Sequence, residues 1–171
     1  DRFSPQAFWD RVDEYGATSA TLLSVMMPWL MKPPASDDDH HNTLDKVHMQ
    51  PLPENYDAIA DRFGFDFVTV AFAQTESGSP VVGVINAAEG EHATPDEYRQ
   101  GKDPEEIVAA SREFGLPVVS DIDEERYMGQ VREDIVEVAL LDERDEPVPT
   151  GEVGEVAVRP KEPGLLLEEY Y

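Results

Sequence analysis

The chain contains no cysteine, so disulfides and every form of thiol or Cys-ligated metal chemistry are excluded at the outset. Basic residues are scarce: 13 Lys and Arg stand against 37 Asp and Glu, for a formal charge of −24 over 171 residues. A surface of that sign repels duplex nucleic acid and anionic membranes, which are set aside as partners. Long hydrophobic runs are missing as well. The greasiest segment, TLLSVMMPWLM at 21–31, is too short to span a bilayer, and no basic stretch precedes a signal-like run. A cytoplasmic location is the expectation that follows.

Forty per cent of the residues are hydrophobic, enough for one domain with a sizeable core. The acids are spread along the chain rather than gathered in a tail, with DDD at 37–39, DIDEE at 121–125 and EE at 168–169 among them. Such dispersal reads as adaptation of the whole surface to high salt. The ends, DRFSP without a methionine and LLLEEYY, read as those of a piece of a longer protein.

Local signals outline an α/β chain. Ser4-Pro5 opens a helix carrying Phe8, Trp9, Val12 and Tyr15, and Gly16 stops it. A second helix is expected from Thr18 or Ser19 through Leu22, Leu23, Met26 and Leu30, kinked or shortened by Pro28. A polar loop over 35–50 ends in a short buried strand, DKVHMQ. Tyr56, Ile59, Ala60 and Phe63 share one side of a surface helix ended by Gly64. Two strands follow, FDFVTVAF and PVVGVINA. GEHATPDEYRQGKD is a punctuated linker before a helix that Asp103 and Pro104 open and Gly115 ends. After a short strand in LPVVSDI the pattern changes to two strands, in EDIVEVALLDE and EVGEVAVRP, joined by a turn. Residues 1–125 are therefore read as helix-and-strand α/β structure and 126–171 as a β-rich antiparallel part.

Few residues suggest chemistry. His40, His41, His48 and Asp37–Asp39 resemble a metal cluster, but adjacent histidines point apart, and a solvated acidic loop is the reading adopted. Met26, Trp29 and Met31 are read as core. The stretch FAQTESG, 72–78, lies between two strands and is more informative. A carboxylate at Glu76 at the end of a sheet strand can meet Mg2+ and phosphates, Thr75 can donate to a phosphoryl oxygen, and Phe72 can cover a base. A polar surface turn is the alternative.

FAQTESG resembles the Y-G-x-T-E motif of the adenylate-forming acyl-CoA synthetase family, the AMP-dependent synthetases and ligases. Other stretches resemble the family in the same order: FSPQAFWDRVDEYGAT, PLPENYDAIADRFGFDF, and ERYMGQVREDIVEVALLDERDEPVPTGEVGEVAVRPKEPGLLLEEYY, with a crotonobetaine- and carnitine-CoA ligase flavour. The resemblance implies the later part of a large AMP-binding N-terminal domain. It implies that Glu76 binds Mg2+ with the ATP phosphates, Thr75 contacts the adenylate phosphate, and Phe72 packs near adenine. Ala73 stands for the motif glycine and Gln74 fills its variable position, both within the cofactor-binding stretch. Glu155 matches a structural glutamate, and His48, Met49 and Gln50 stand where relatives carry a glycine-rich turn.

The family's phosphate loop, ribose-binding aspartate and catalytic-lysine domain match nothing in these residues. The resemblance thus implies a fragment of an acid-CoA ligase that uses ATP, Mg2+ and coenzyme A on a small carboxylic acid and is inactive by itself. A catalytically dead interaction domain and an unrelated acidic α/β domain are the rivals. A second copy of the chain or a complementary ligase chain is the partner left open.

The charge yields one direct test. The protein is expected to show more native far-UV circular dichroism in about 1 M KCl, where the screening length falls to about 3 Å, than in dilute buffer. Identical spectra in the two conditions would remove the high-salt reading.

Overall fold

The computed structural model describes residues 3–88, 92–122 and 127–167. The first helix, α1 (Pro5–Tyr15), forms as its signals predict. Ser4 accepts a hydrogen bond from the Ala7 amide at 3.4 Å, and Gly16 closes the helix at φ 55°. The next segment is not a helix. Ser19–Leu23 is strand β1, and only Met27–Leu30 is helical, as the short α2 with Pro28 in its first turn. A five-residue apolar segment satisfies either period; here the ladder to β2 decides, with Leu22 wholly buried.

Strand β2 (Lys46–Gln50) follows a loop that holds a single 3-10 turn at Asp37–His40. Helix α3 (Tyr56–Phe63) ends at Gly64 with φ 72°. Strands β3 (Phe67–Gln74) and β4 (Gly78–Asn86) form a hairpin, and α4 (Pro104–Glu113) precedes β5 (Val118–Val119) and β6 (Gln130–Val131). Strands β1, β2 and β3 are mutually parallel, β4 is antiparallel to β3, and β5 and β6 both pair with β4. A separate antiparallel pair, β7 (Val136–Leu141) and β8 (Glu155–Pro160), forms the second sheet.

The main sheet packs its core against one face, and Phe67 and Val84 are buried on the other. Leu22, Val47, Met49, Val68, Val70 and Ile85 project from four strands into a core closed by Val12 of α1 and by Ile59, Ala60 and Phe63 of α3. Aromatic contacts join the helices across it: Trp9 lies 4.9 Å from Phe63, and Phe63 lies 5.9 Å from Phe65. Met27 and Leu30 enter this core, but Trp29 stays half exposed beside Phe3, which corrects its reading as a core residue.

Polar anchors hold the connections. Arg62 on α3 donates to Asp39 at 2.7 Å, to the Met31 carbonyl at 3.0 Å and to the Pro33 carbonyl at 2.9 Å. The acidic loop is therefore tied to the helix by one guanidinium. Buried Asp66 accepts from the amides of Ala93 and Thr94 at 2.6 and 3.2 Å, docking the linker that the sequence shows only as punctuated.

At Gly129 the chain crosses β4 so closely that a Cβ would lie 2.2 Å from the Val82 carbonyl carbon, and its φ is 106°. Both conditions require glycine. Gly129→Ala is expected to destabilise the protein by about 3 kcal/mol or more, read as a lower urea midpoint. A midpoint equal to that of the parent would show that this crossing is not part of the stable fold.

Candidate active site

The motif stretch sits where two ladders diverge. Strand β3 begins buried at Phe67 and Val68, runs past its last paired residue with β2 (Thr69 opposite His48), and ends exposed at Ala73 and Gln74. Because β1, β2 and β3 are parallel, their carboxyl ends share an edge, where open α/β sheets place ligands. The hairpin turn Thr75-Glu76-Ser77 lies beyond that edge. Gly78, at φ 60°, supplies the left-handed residue that a three-residue hairpin loop uses.

The register shifts by one between the pairs Phe72–Val81 and Gln74–Gly78, so Ser79 and Pro80 together oppose Ala73. Proline fits this bulge because it has no N–H to leave unpaired. The Pro80 carbonyl accepts instead from the Arg132 amide at 2.9 Å, fastening the bulge to the chain after β6.

Alternation along β3 sorts the motif. Phe72, Gln74 and Glu76 line a cavity of about 420 Å3, together with Ser77 of the turn. Ala73 and Thr75 are not on its wall. The far side of the cavity comes from the second sheet, with Glu155, Val156 and Val158 of β8, and from Leu166. The sequence groups Phe72 and Glu76 as members of one short stretch. It could not bring Glu155 to the same space, because that depends on how the two sheets meet.

The other expected residues lie elsewhere. Of the loop histidines, His41 is engaged, with its ring stacked 5.3 Å from Tyr98 and its Nδ1 3.3 Å from Asp38. Among the described residues, no three His, Asp or Glu side chains are grouped to hold a metal ion. His48 projects from the sheet face opposite the core and shares a 3.1 Å hydrogen bond between its Nδ1 and Thr69 Oγ1, with direction set by the tautomer. Burial holds its pKa below the ordinary histidine value, and the Thr69 contact opposes that only in part.

The comparisons with known proteins agree with this architecture. No protein-family model matches the chain. In sequence it is similar, over its whole length, to a crotonobetaine/carnitine–CoA ligase of Salmonella paratyphi B, at 26% identity over 174 residues that make up 27% of that protein. The same ligase of Proteus mirabilis is 27% identical over 173 residues, also 27% of its length. The chain thus spans about a quarter of the curated relatives it matches. In fold it is similar to O-succinylbenzoate coenzyme A synthetase of Bacillus subtilis in complex with AMP, with a TM-score of 0.53 and 14% identity, covering 93% of this chain and 32% of that one. Another structure of that synthetase, with ATP and a magnesium ion, matches with the same TM-score and coverage of this chain. The chain resembles adenylate-forming acyl-CoA ligases throughout its length, and its α/β sheet with the added antiparallel pair has the fold of part of their large domain.

The His48 environment has a pH consequence. A histidine pKa depressed by folding contributes stability that is present above the unfolded value of about 6.5 and is lost as pH falls through the folded value. The thermal midpoint is expected to fall between pH 7 and pH 5 by more in the parent than in His48→Gln. An equal fall in both would place the acid sensitivity elsewhere.

Proposed function

We propose that the chain forms part of the nucleotide-binding domain of an ATP- and Mg2+-dependent acyl-activating ligase. Such an enzyme joins a small carboxylic acid to AMP, releases pyrophosphate and passes the acyl group to coenzyme A. The observation that carries this reading is the convergence of Phe72, Gln74 and Glu76 on one cavity at the carboxyl end of the sheet, in a chain that aligns throughout with acyl-CoA ligases.

In this reading Glu76 holds Mg2+ through one carboxylate. No second cluster of ligands surrounds it among the described residues, so the remaining oxygens come from phosphates and water, the usual pattern for this ion. The bound ion supplies neutralisation of charge developing on the phosphates. Phe72 offers a ring face to adenine, and Gln74, beside it, offers an amide at the base edge. Thr75, at the turn, donates to a phosphoryl oxygen once the nucleotide lies across the strand end.

No lysine or arginine is among the described residues on the cavity wall. The cationic groups that adenylation needs besides magnesium therefore come from residues other than these, and the isolated chain is expected to be inactive. The dispersed acidic excess fits an enzyme working in concentrated salt, where the repulsion within its surface is screened.

In the full-length protein, Glu76→Gln is expected to lower acid-dependent ATP–pyrophosphate exchange by a factor of about 10² to 10³. Far-UV circular dichroism is expected to stay unchanged, because Glu76 is exposed. Exchange at the parental rate in a folded variant would overturn the assignment.

A further inference from the structure

A second cavity lies at the other edge of the main sheet. Asn86, on its wall, ends β4 and pairs with Phe67, the first residue of β3. Gln74, on the wall of the motif cavity, stands about 23 Å further along that strand, so the two spaces are separate. The second cavity has a volume of about 490 Å3, within the range of small-molecule sites and far more than one ion fills.

One wall is a single face of α4. Glu105, Val108, Ala109 and Arg112 recur at the spacing that brings side chains into line along a helix. The acid stands in the first turn and the guanidinium in the last, about 10 Å apart along the axis, with apolar side chains between them. Neither charge has an opposite partner among the described residues, whereas Arg62, Arg99, Arg132 and Arg159 each hold a carboxylate. Asp103 adds a second carboxylate at the acidic end, 3.9 Å from Arg99.

Across from the helix, Asn86 Oδ1 is shut off from solvent and meets no hydrogen-bond donor. Buried polar groups nearly always find a partner, so an orphan on a cavity wall marks a place for a polar group of a ligand. The terminal torsion of asparagine is soft, and a turn about it offers the cavity either the oxygen or the NH2.

The two ends of the helix face ask for different charges. A simple anion would meet Arg112 but face Glu105 and Asp103, and a simple cation would leave Arg112 unanswered. A molecule with both charges, joined by a short alkyl chain, satisfies each end and lays its chain on the apolar middle. We propose that this cavity binds a linear zwitterion, an ω-amino acid, with its carboxylate on Arg112, its ammonium at Glu105 and its chain over Val108 and Ala109. The site is independent of the nucleotide reading of the other cavity.

The test is a ligand-observed NMR titration of the full-length protein with 6-aminohexanoate, hexanoate and hexylamine at one fixed KCl concentration. The zwitterion is expected to bind about tenfold more tightly than either singly charged probe. Arg112→Gln is expected to remove its advantage over hexylamine without weakening hexylamine. Glu105→Gln is expected to remove its advantage over hexanoate without weakening hexanoate. Both residues are exposed, so both variants are expected to keep the parental far-UV circular dichroism. A parent that binds either singly charged probe as tightly as the zwitterion, or binds none of the three, overturns the assignment. An unchanged advantage in either variant overturns it, as does loss of all three probes together, which means a structural effect. Saturating ATP with Mg2+ is expected to leave the zwitterion bound. Its displacement would place it in the motif cavity and overturn this assignment while leaving the nucleotide reading intact.

Discussion

Strand β3 is bound on both sides by different kinds of ladder, parallel to β2 and antiparallel to β4, and the rest of the molecule is arranged around that difference. Its first half is held by the core: Val68 and Val70 face α1 and α3 along with Val47, Met49 and Ile85. Its second half leaves β2 behind and is supported only by the hairpin. Burial therefore fixes the direction and depth of β3, and the hairpin carries that placement outward to the exposed turn at Thr75-Glu76-Ser77. Displacing the core face by one residue would exchange the two faces of the strand and move Phe72, Gln74 and Glu76 off the cavity.

The same arrangement lets a strongly acidic chain present a candidate anion-binding site. The carboxylates are kept at the surface or, where buried, are given partners. Asp66 is capped by two amides, and Asp39 is bound by Arg62. Asp45 lies buried beside Lys46, and burial pushes its pKa upward despite that pairing. At the cavity, acids come from two sheets and no described cation offsets them. Such a wall accommodates a phosphate only with a divalent ion between them, so metal and nucleotide binding are coupled by electrostatics in this reading.

Much of the architecture is readable residue by residue. Ser4 and Gly16 bound α1, Gly64 ends α3, and the β-branched runs of β3, β4, β7 and β8 become strands. These signals are local: a cap needs a side-chain oxygen beside a free amide, and a left-handed terminus needs glycine. The segment at 18–30 was not readable in this way. SATLL has too few residues to show a period, and its conversion to β1 depends on pairing with β2 more than 20 residues further on. The docking of the linker is equally non-local, since Asp66 and Thr94 meet only after the strands have packed.

The sequence alone determined the alternation of helix and strand, the acidic character of the surface and the placement of Phe72, Gln74 and Glu76 in one short stretch between two strands. Each follows from residue type and period over a few positions. Tertiary structure alone decided that the turn lies at the carboxyl edge of the parallel strands, that Thr75 is absent from the cavity wall, and that Glu155 completes it. Those outcomes depend on the bulge opposite Ala73 and on the meeting of two separately paired sheets. Both are set by packing between residues far apart in the chain, which no local pattern encodes.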